Sequence, residues 1–258
     1  MNYSKTKSVA ALTLTLSISI LSFCTHAASL VNGNVLTLSQ VVYVGDIYGY
    51  DGNYNGYAIY SGSWFAMDTD GNHKIAGTEK VALSEGTTGL VIGTTTSAGA
   101  SHAGAPTAGD TNAITAPWNF FGNTGSDFLT VAVTGDTTSG LNMSGWTVTW
   151  NGVPTIPMGS GAWVPLSAGG VIPGMVGGSY TNGVAKFNWN GIDGGAYTLD
   201  YLATVPLNDA SNFGGVKYAL HLEGTVMRAV PEASTYAMML AGLGLVGFMS
   251  RRRKLAEV

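Results

Sequence analysis

The sequence has almost no cysteine and little charge, and both scarcities limit what the protein can be. Its 258 residues include one cysteine, Cys24, so an internal disulfide framework and a thiolate metal site are excluded. Charged residues make up 10% of the chain, against about 25% in typical globular proteins. A domain folded from this chain must therefore rely on packing and hydrogen bonds, helped at most by an oxygen-coordinated cation.

The few charges are also segregated along the chain. Residues 28–230 hold five basic and thirteen acidic side chains, a formal charge of −8, while the other basic residues cluster near the two ends. An acidic domain gains nothing from a phosphate backbone. Nucleic acid is therefore not expected as a partner.

Glycine and hydrophobic residues are abundant, and together they predict an all-β domain. The chain contains 37 glycines and is 45% hydrophobic, which is too apolar for a disordered segment but rich in poor helix formers. No stretch keeps a helical period over ten residues. Short strands at intervals of 8–12 residues, separated by glycine turns, favour a single β-sandwich or jelly-roll-like domain over residues 28–228.

Several segments predict particular strands and turns. Thr147–Trp150 and Lys186–Trp189 each run into an Asn-Gly pair, the strongest short hairpin signal. Residues 196–205 alternate as one strand, and residues 216–227 predict a closing strand pair. The six tryptophans are expected in the core and in turns, and residues 97–112 are expected to form a long surface loop within the domain.

The N-terminus has the three parts of a secretion signal in order. Lys5 and Lys7 precede an apolar stretch over residues 9–23, and Thr25 and Ala27 offer small residues for cleavage. Residues 1–27 are therefore predicted to form a signal helix that directs export through the Sec translocon. The alternative, a membrane anchor, is disfavoured because the stretch is short and rich in serine and threonine.

The C-terminal residues 229–258 combine a polar motif, a short apolar run and a basic cluster. The apolar run over residues 236–250 is below the roughly 20 residues that cross a bilayer comfortably, and the basic cluster should stay on the cytoplasmic side. These features predict a short transmembrane helix; a plain C-terminal anchor is the simplest alternative. The motif and cluster residues are Val230, Pro231, Glu232, Ser234, Thr235, Arg251, Arg252 and Arg253.

This arrangement resembles the PEP-CTERM sorting tag of Gram-negative bacteria that make exopolysaccharide. Ala233 stands where that family usually has a second proline. The resemblance implies cutting near Pro231 and Glu232 by an exosortase, a membrane transpeptidase-like enzyme. It further implies passage through the inner membrane and delivery to the cell surface or the medium. Other segments resemble uncharacterised proteins with the same tag, and these imply no activity.

Residues 68–79 match the ligand spacing of a calcium loop. The matching positions 1, 3, 5, 7 and 12 are Asp68, Asp70, Asn72, the Lys74 carbonyl and Glu79. His73 stands where such loops need glycine for a sharp turn, and clear flanking helices are lacking. The segment therefore predicts either a weak Ca²⁺ site or a polar turn between strands.

No other motif indicates catalysis. His73, His102 and His221 stand alone in the sequence, and nucleophile-elbow and phosphate-loop motifs are missing. Four acidic residues offer carboxylates for glycoside chemistry without a spacing that favours any pair: Asp193, Asp200, Asp209 and Glu223. Residues 48–57 interleave tyrosine with glycine and asparagine, as expected of a carbohydrate-binding surface or of a tyrosine-rich hairpin.

Three functions remain open at this point. The first is a non-enzymatic surface or matrix protein associated with exopolysaccharide. The second is a calcium-assisted carbohydrate-binding module, in which the loop 68–79 would lie beside an exposed aromatic surface. The third, a secreted hydrolase, requires two carboxylates that converge in a cleft.

Overall fold

The computed structural model describes residues 30–44, 58–83, 86–95, 114, 118–120, 123–129, 131–150, 153–158, 161–166, 172–229 and 237–246. Within these ranges the secondary structure is almost entirely strand, which confirms the all-β class of the domain. The predicted signal helix, the tyrosine-rich segment 48–57 and the loop 97–112 lie outside the described residues. The strands are β1 Val35–Leu38, β2 Val42–Val44, β3 Ala58–Ser61, β4 Trp64–Met67, β5 Lys80–Ala82, β6 Gly86–Val91, β7 Trp118–Phe120, β8 Asn123–Leu129, β9 Gly135–Asp136, β10 Gly140–Asn142, β11 Thr147–Trp150, β12 Val153–Pro157, β13 Val184–Trp189, β14 Ala196–Thr204 and β15 Lys217–Met227.

The strands form a large sheet and two smaller ones, and their pairing is antiparallel throughout. The large sheet has the order β5-β4-β15-β14-β13-β10-β9, with β1 joined to β15 and β6 joined to β1. A second sheet has the order β12-β11-β8-β7, and β2 pairs with β3. Antiparallel strands can be joined by short turns, in line with the many glycines of the chain.

The centre of the large sheet is β15, and here the prediction of a strand pair is wrong. Residues 217–227 form one strand of 11 residues. Its length lets it pair with β14 over nine residue pairs on one edge, and with β4 and then β1 on the other edge. Gly224 lies inside this strand, where an added Cβ would stand 2.0 Å from the Thr37 carbonyl oxygen. The glycine thus permits close approach of β1.

The two Asn-Gly predictions have different outcomes. β11 and β12 pair around the first one, with Trp150 opposite Val153, as a two-residue hairpin requires. The second does not form a two-residue turn, because β14 begins only at Ala196. The Asn190 side chain instead accepts the Ile192 N–H at 3.0 Å, inside a longer connection.

Two apolar clusters cover opposite faces of the large sheet. The larger cluster contains Phe65, Leu199 and Tyr218 of the large sheet together with Phe128 and Val148 of the four-stranded sheet. The smaller cluster is composed of Ile59, Trp64, Ala66, Ile75, Trp163, Ile172, Met175, Leu202 and Ala219. Because neighbouring residues of a strand point to opposite faces, β14 and β4 supply both clusters.

Most of the tryptophans whose side chains are described are core residues, as expected. Trp64, Trp146, Trp163 and Trp189 are buried, and Trp150 is half-buried.

The described part of the C-terminal segment is a helix over residues 237–246 with an exposed surface. Among the described residues, the structure has no helix with the length and apolarity needed to span a membrane. The predicted transmembrane helix is therefore not supported.

Candidate functional site

The loop 68–79 connects β4 to β5, and its two ends meet because these strands pair as a hairpin. Ala66 lies opposite Lys80, so Asp68 after β4 and Glu79 before β5 reach the same end of the sheet. Strands flank this loop on both sides, in contrast to an EF-hand. His73 has φ 61, so it adopts the left-handed turn conformation that glycine normally supplies.

Three of the predicted ligands come together in this loop. Asp68, Asp70 and Glu79 each offer a carboxylate oxygen, and these three oxygens all lie within 4.8 Å of one another. Asp68 and Glu79 are buried, whereas Asp70 is exposed. Calcium–oxygen distances of about 2.4 Å place ligands on opposite sides of one ion about 5 Å apart. The spacing therefore suits a single shared Ca²⁺.

The other two predicted ligands take part in the loop in a different way. The Asn72 side chain donates to Asp70 Oδ2 at 2.7 Å and accepts the Lys74 N–H at 2.8 Å. Asn72 therefore hydrogen-bonds to one of the three clustered carboxylates, that of Asp70. Lys74 contributes its backbone N–H to the described contacts, and its side chain is half-buried.

Hydrogen bonds satisfy most of the carboxylate oxygens in the loop. Glu79 Oε1 accepts the Thr69 N–H at 2.6 Å and the Thr69 hydroxyl at 2.7 Å, and Oε2 accepts the Ala76 N–H at 2.8 Å. Asp68 Oδ2 accepts the His73 N–H at 3.0 Å. Asp68 Oδ1 differs: it is buried and has no hydrogen-bond partner in the part of the chain that the structure describes.

A second group of polar residues lies on the smaller-cluster face of the large sheet. Cross-strand pairing aligns Lys186, Asp200, His221 and Trp64 in one row across β13, β14, β15 and β4. Residues 172–180 lie over this row. Within this segment, the Val176 N–H donates to Asp200 Oδ2 at 2.8 Å. Lys186 Nζ donates to the Gly177 carbonyl at 2.7 Å, and Lys80 Nζ to that of Pro173 at 2.6 Å.

His221 is a buried histidine whose ring nitrogens both face carboxylates. Its Nδ1 lies 2.6 Å from Asp200 Oδ1 and its Nε2 lies 3.9 Å from Glu223 Oε2. Its ring stacks on Trp64 with a centroid distance of 5.5 Å. His221 and Asp200 are 3% and 1% exposed, so this pair has no access to a substrate in solution. His221, which stands apart from the other histidines in the sequence, is thus a satisfied core residue.

Lys80, which lies opposite Ala66 in the neighbouring row, is a second cation held under residues 172–180. Its Nζ lies 4.0 Å from the centre of the Trp64 ring. Burial lowers the pKa of Lys80 from 10.5 to about 8, because leaving water costs the charged ammonium more than the neutral amine. The Pro173 carbonyl and the Trp64 ring stabilise the charge that remains.

The next row of the same face is open to solvent and forms a groove. Asn188, Thr198 and Glu223 lie opposite one another across β13, β14 and β15. The groove has a volume of about 610 Å³ and is lined also by Ser39, Gln40, Val42, Ser61, Trp189, Asn190, Ala196, Tyr197 and Gly224. Glu223, whose carboxylate accepts the Gly62 N–H, is the acidic side chain among these residues. Amides and hydroxyls make up most of the polar lining.

The four acidic residues considered for glycoside chemistry are used for other contacts. Asp193 accepts the Arg228 N–H at 2.6 Å and Asp209 accepts the Ser211 N–H at 2.9 Å. Asp200 is covered by residues 172–180, which leaves Glu223 in the groove. Neither the His221–Asp200 pair nor the groove could be predicted from the sequence, because both depend on strand register. Given the register, the period-two spacing of His221 and Glu223 would have placed both side chains on one face.

Comparison with known proteins addresses the C-terminal segment. Residues 229–254 match the family of the PEP-CTERM protein-sorting motif. No curated protein and no solved structure matches the chain. The motif residues 230–236 and the basic cluster 251–254 lie outside the described residues, so their identification rests on sequence. The protein therefore carries a PEP-CTERM sorting motif, which makes it a sorted, exported protein processed by an exosortase-type enzyme.

Proposed function

We propose that the mature protein is a non-enzymatic component of the cell surface or matrix that associates with a neutral, hydroxyl-rich exopolysaccharide. The observation that carries this proposal is the PEP-CTERM motif at residues 229–254, because it directs the domain to the surface. The domain is proposed to be a β-sandwich, since both larger sheets contribute side chains to one core cluster.

The groove supports a neutral polysaccharide as the partner. Its polar lining consists mainly of uncharged groups that both donate and accept hydrogen bonds, the chemistry that sugar hydroxyls require. The lining includes Glu223 but neither lysine nor arginine, and residues 28–230 carry a formal charge of −8. An acidic polymer would be repelled by this domain. Trp189 and Tyr197 are buried, so hydrogen bonds rather than ring stacking would hold the sugar.

A calcium-assisted binding module is less well supported as a second function. Asp68 and Asp70 line a hollow together with Lys217, which is the first residue of β15. The groove is lined by Glu223, six residues further along the same strand. Six strand residues correspond to about 20 Å. A cation held by Asp68, Asp70 and Glu79 would therefore not touch a sugar in the groove.

The experiment follows the full chain in a host that has the exosortase and in the same host without it. Intact mass of protein from the surface and the medium is expected to show a species starting near Ala28 and ending near Val230 in the first host. A mass that retains Arg251–Arg253 in both hosts would contradict the sorting reaction.

The same processed protein is then tested for co-sedimentation with the host's exopolysaccharide. Asn188→Ala is expected to weaken binding about fivefold or more, because a hydrogen bond to a sugar hydroxyl is worth about 1 kcal/mol. Asn208→Ala, a matched change at an exposed asparagine outside the groove, should bind like the unaltered protein. Equal binding by the two variants, or none by the unaltered protein, would contradict the proposed association.

A further inference from the structure

The loop 68–79 contains a buried negative group with too few partners, and this deficit is independent of the groove and of sorting. Asp68 is 5% exposed, and its Oδ1 lacks a hydrogen-bond donor among the described residues. An unpaired buried carboxylate oxygen is costly, because the group has left water without compensation. Such an atom calls for a partner such as a bound water or cation.

The neighbours of Asp68 make the deficit larger. Asp70 and Glu79 bring two more carboxylates within 4.8 Å, and like charges this close repel one another strongly in a low-dielectric setting. In the part of the chain that the structure describes, the ion pairs within 4 Å all involve His221. No lysine or arginine among the described residues therefore forms an ion pair with the three carboxylates.

From this geometry we infer that Asp68, Asp70 and Glu79 bind a calcium ion. The ligand set contains oxygen only, which suits a hard cation, and three carboxylates neutralise its two charges with one to spare. Asp68 Oδ1 would gain the partner that it lacks. Asp70, which is exposed, leaves one side open for the water molecules that complete a coordination number of 6–8.

The backbone of the loop is set in the form that such a site needs. His73 adopts φ 61 at the position where calcium loops require a left-handed turn. The histidine therefore has the backbone conformation that glycine usually provides there. The Asx-type contacts of Asp70 and Asn72 hold the loop. The ion would thus bind to a largely formed site between two paired strands, and affinity near 10⁻⁴–10⁻³ M is expected for an extracellular site of this kind.

Thermal unfolding of the full chain in mild detergent, followed by tryptophan fluorescence, tests the site with Ca²⁺ as the probe. After removal of metal by a chelator, 10 mM Ca²⁺ is expected to raise the Tm by about 3–5 °C. Asp70→Asn removes one exposed ligand charge and should weaken Ca²⁺ binding at least tenfold, as measured by calorimetric titration. Asp136→Asn is the matched control, because Asp136 is also a turn-capping aspartate, with Oδ1 accepting the Thr138 and Ser139 N–H groups.

A second variant separates a cation site from a purely structural cluster. Asp68→Asn places an amide donor among carboxylates, so it should abolish the Ca²⁺ response and raise the Tm of the metal-free protein above that of the unaltered protein. A structural aspartate would give a lower metal-free Tm instead. The inference is overturned if Ca²⁺ produces no Tm shift, or if Asp70→Asn and Asp136→Asn respond to Ca²⁺ equally. An equal response to Mg²⁺ that persists in Asp70→Asn would also overturn it, as a general salt effect.

Discussion

The two faces of the central strands have opposite characters, although the same residues in alternation build both. On one face, Leu199, Tyr201 and Leu222 are buried in the larger apolar cluster. On the other, Asp200, His221 and Glu223 form polar contacts with one another and with residues 172–180. Close apolar packing dominates the first face, whereas the second depends on individual hydrogen bonds.

This difference predicts which positions of the domain tolerate substitution. The larger cluster joins both larger sheets, so a defect there disturbs the whole fold. The polar face divides further into a row covered by residues 172–180 and a row open in the groove. Stability should therefore be most sensitive on the apolar face, intermediate in the covered row and least sensitive in the groove.

The largest effect is expected for Leu199→Ala. Leu199 is fully buried at the centre of β14, and its truncation should lower the free energy of unfolding by about 2–5 kcal/mol through lost burial and a cavity. Chemical denaturation of the full chain measures this change. Thr198→Ala, the neighbouring residue on the groove face, should cost less than about 1 kcal/mol. An equal loss of free energy of unfolding in the two variants would contradict the difference between the two faces.

An intermediate effect is expected for Asp200→Ala in the covered row. The change leaves His221 Nδ1 and the Val176 N–H without their partner in a buried setting, at a cost of about 3 kcal/mol. Amide hydrogen exchange should also accelerate over residues 172–180, while β8 and β11 keep their protection. Unchanged exchange in residues 172–180 would mean that Asp200 does not hold this segment on the sheet.

The smallest effect concerns the pH dependence that Lys80, which donates to the Pro173 carbonyl under the same covering segment, gives to stability. The lowered pKa of about 8 means that the unfolded chain binds more protons than the folded one between pH 8 and about 10.4. Stability should therefore rise by about 1–2 kcal/mol from pH 8 to pH 10, and this gain should be lost as the pH returns from 10 to 8. Urea denaturation at both pH values measures the rise, and Lys80→Met should abolish it.

Tyrosines set the upper end of that pH window. Burial raises the pKa of Tyr197, Tyr201 and Tyr218 above its usual range. Above pH 10 the unfolded chain releases phenolic protons that the folded protein keeps, so stability falls again. A rise between pH 8 and 10 that persists in Lys80→Met would assign the effect to other groups.

Local patterns allowed the fold class and single strands to be predicted, but not the layout of the sheet. The alternation in residues 196–205 and the Asn-Gly pair after Trp150 are local signals, and both gave correct strands. That residues 217–227 form one strand could not be predicted, because its partners β1 and β4 lie far from it in the sequence. A glycine is needed at position 224 because the backbone there lies against Thr37, which is 187 positions away in the chain.

The candidate sites show the same limit. The spacing of Asp68, Asp70 and Glu79 could be read directly, because these ligands share one hairpin loop. The sequence did not show that His73 would adopt a left-handed conformation or that Asp68 would be buried, since both depend on tertiary packing. The groove depends on the register of three strands, and no local pattern encodes that register.

The position of the last strand has a mechanical consequence for any load applied at the C-terminal end of the domain. Arg228 follows β15 directly and is held by Asp193 and by the Gly191 carbonyl, so almost no slack separates the fold from the sorting motif that begins at residue 229. Tension applied there enters the domain through β15. This strand is hydrogen-bonded along both edges, so many ladder bonds share the load before the domain can be pulled open.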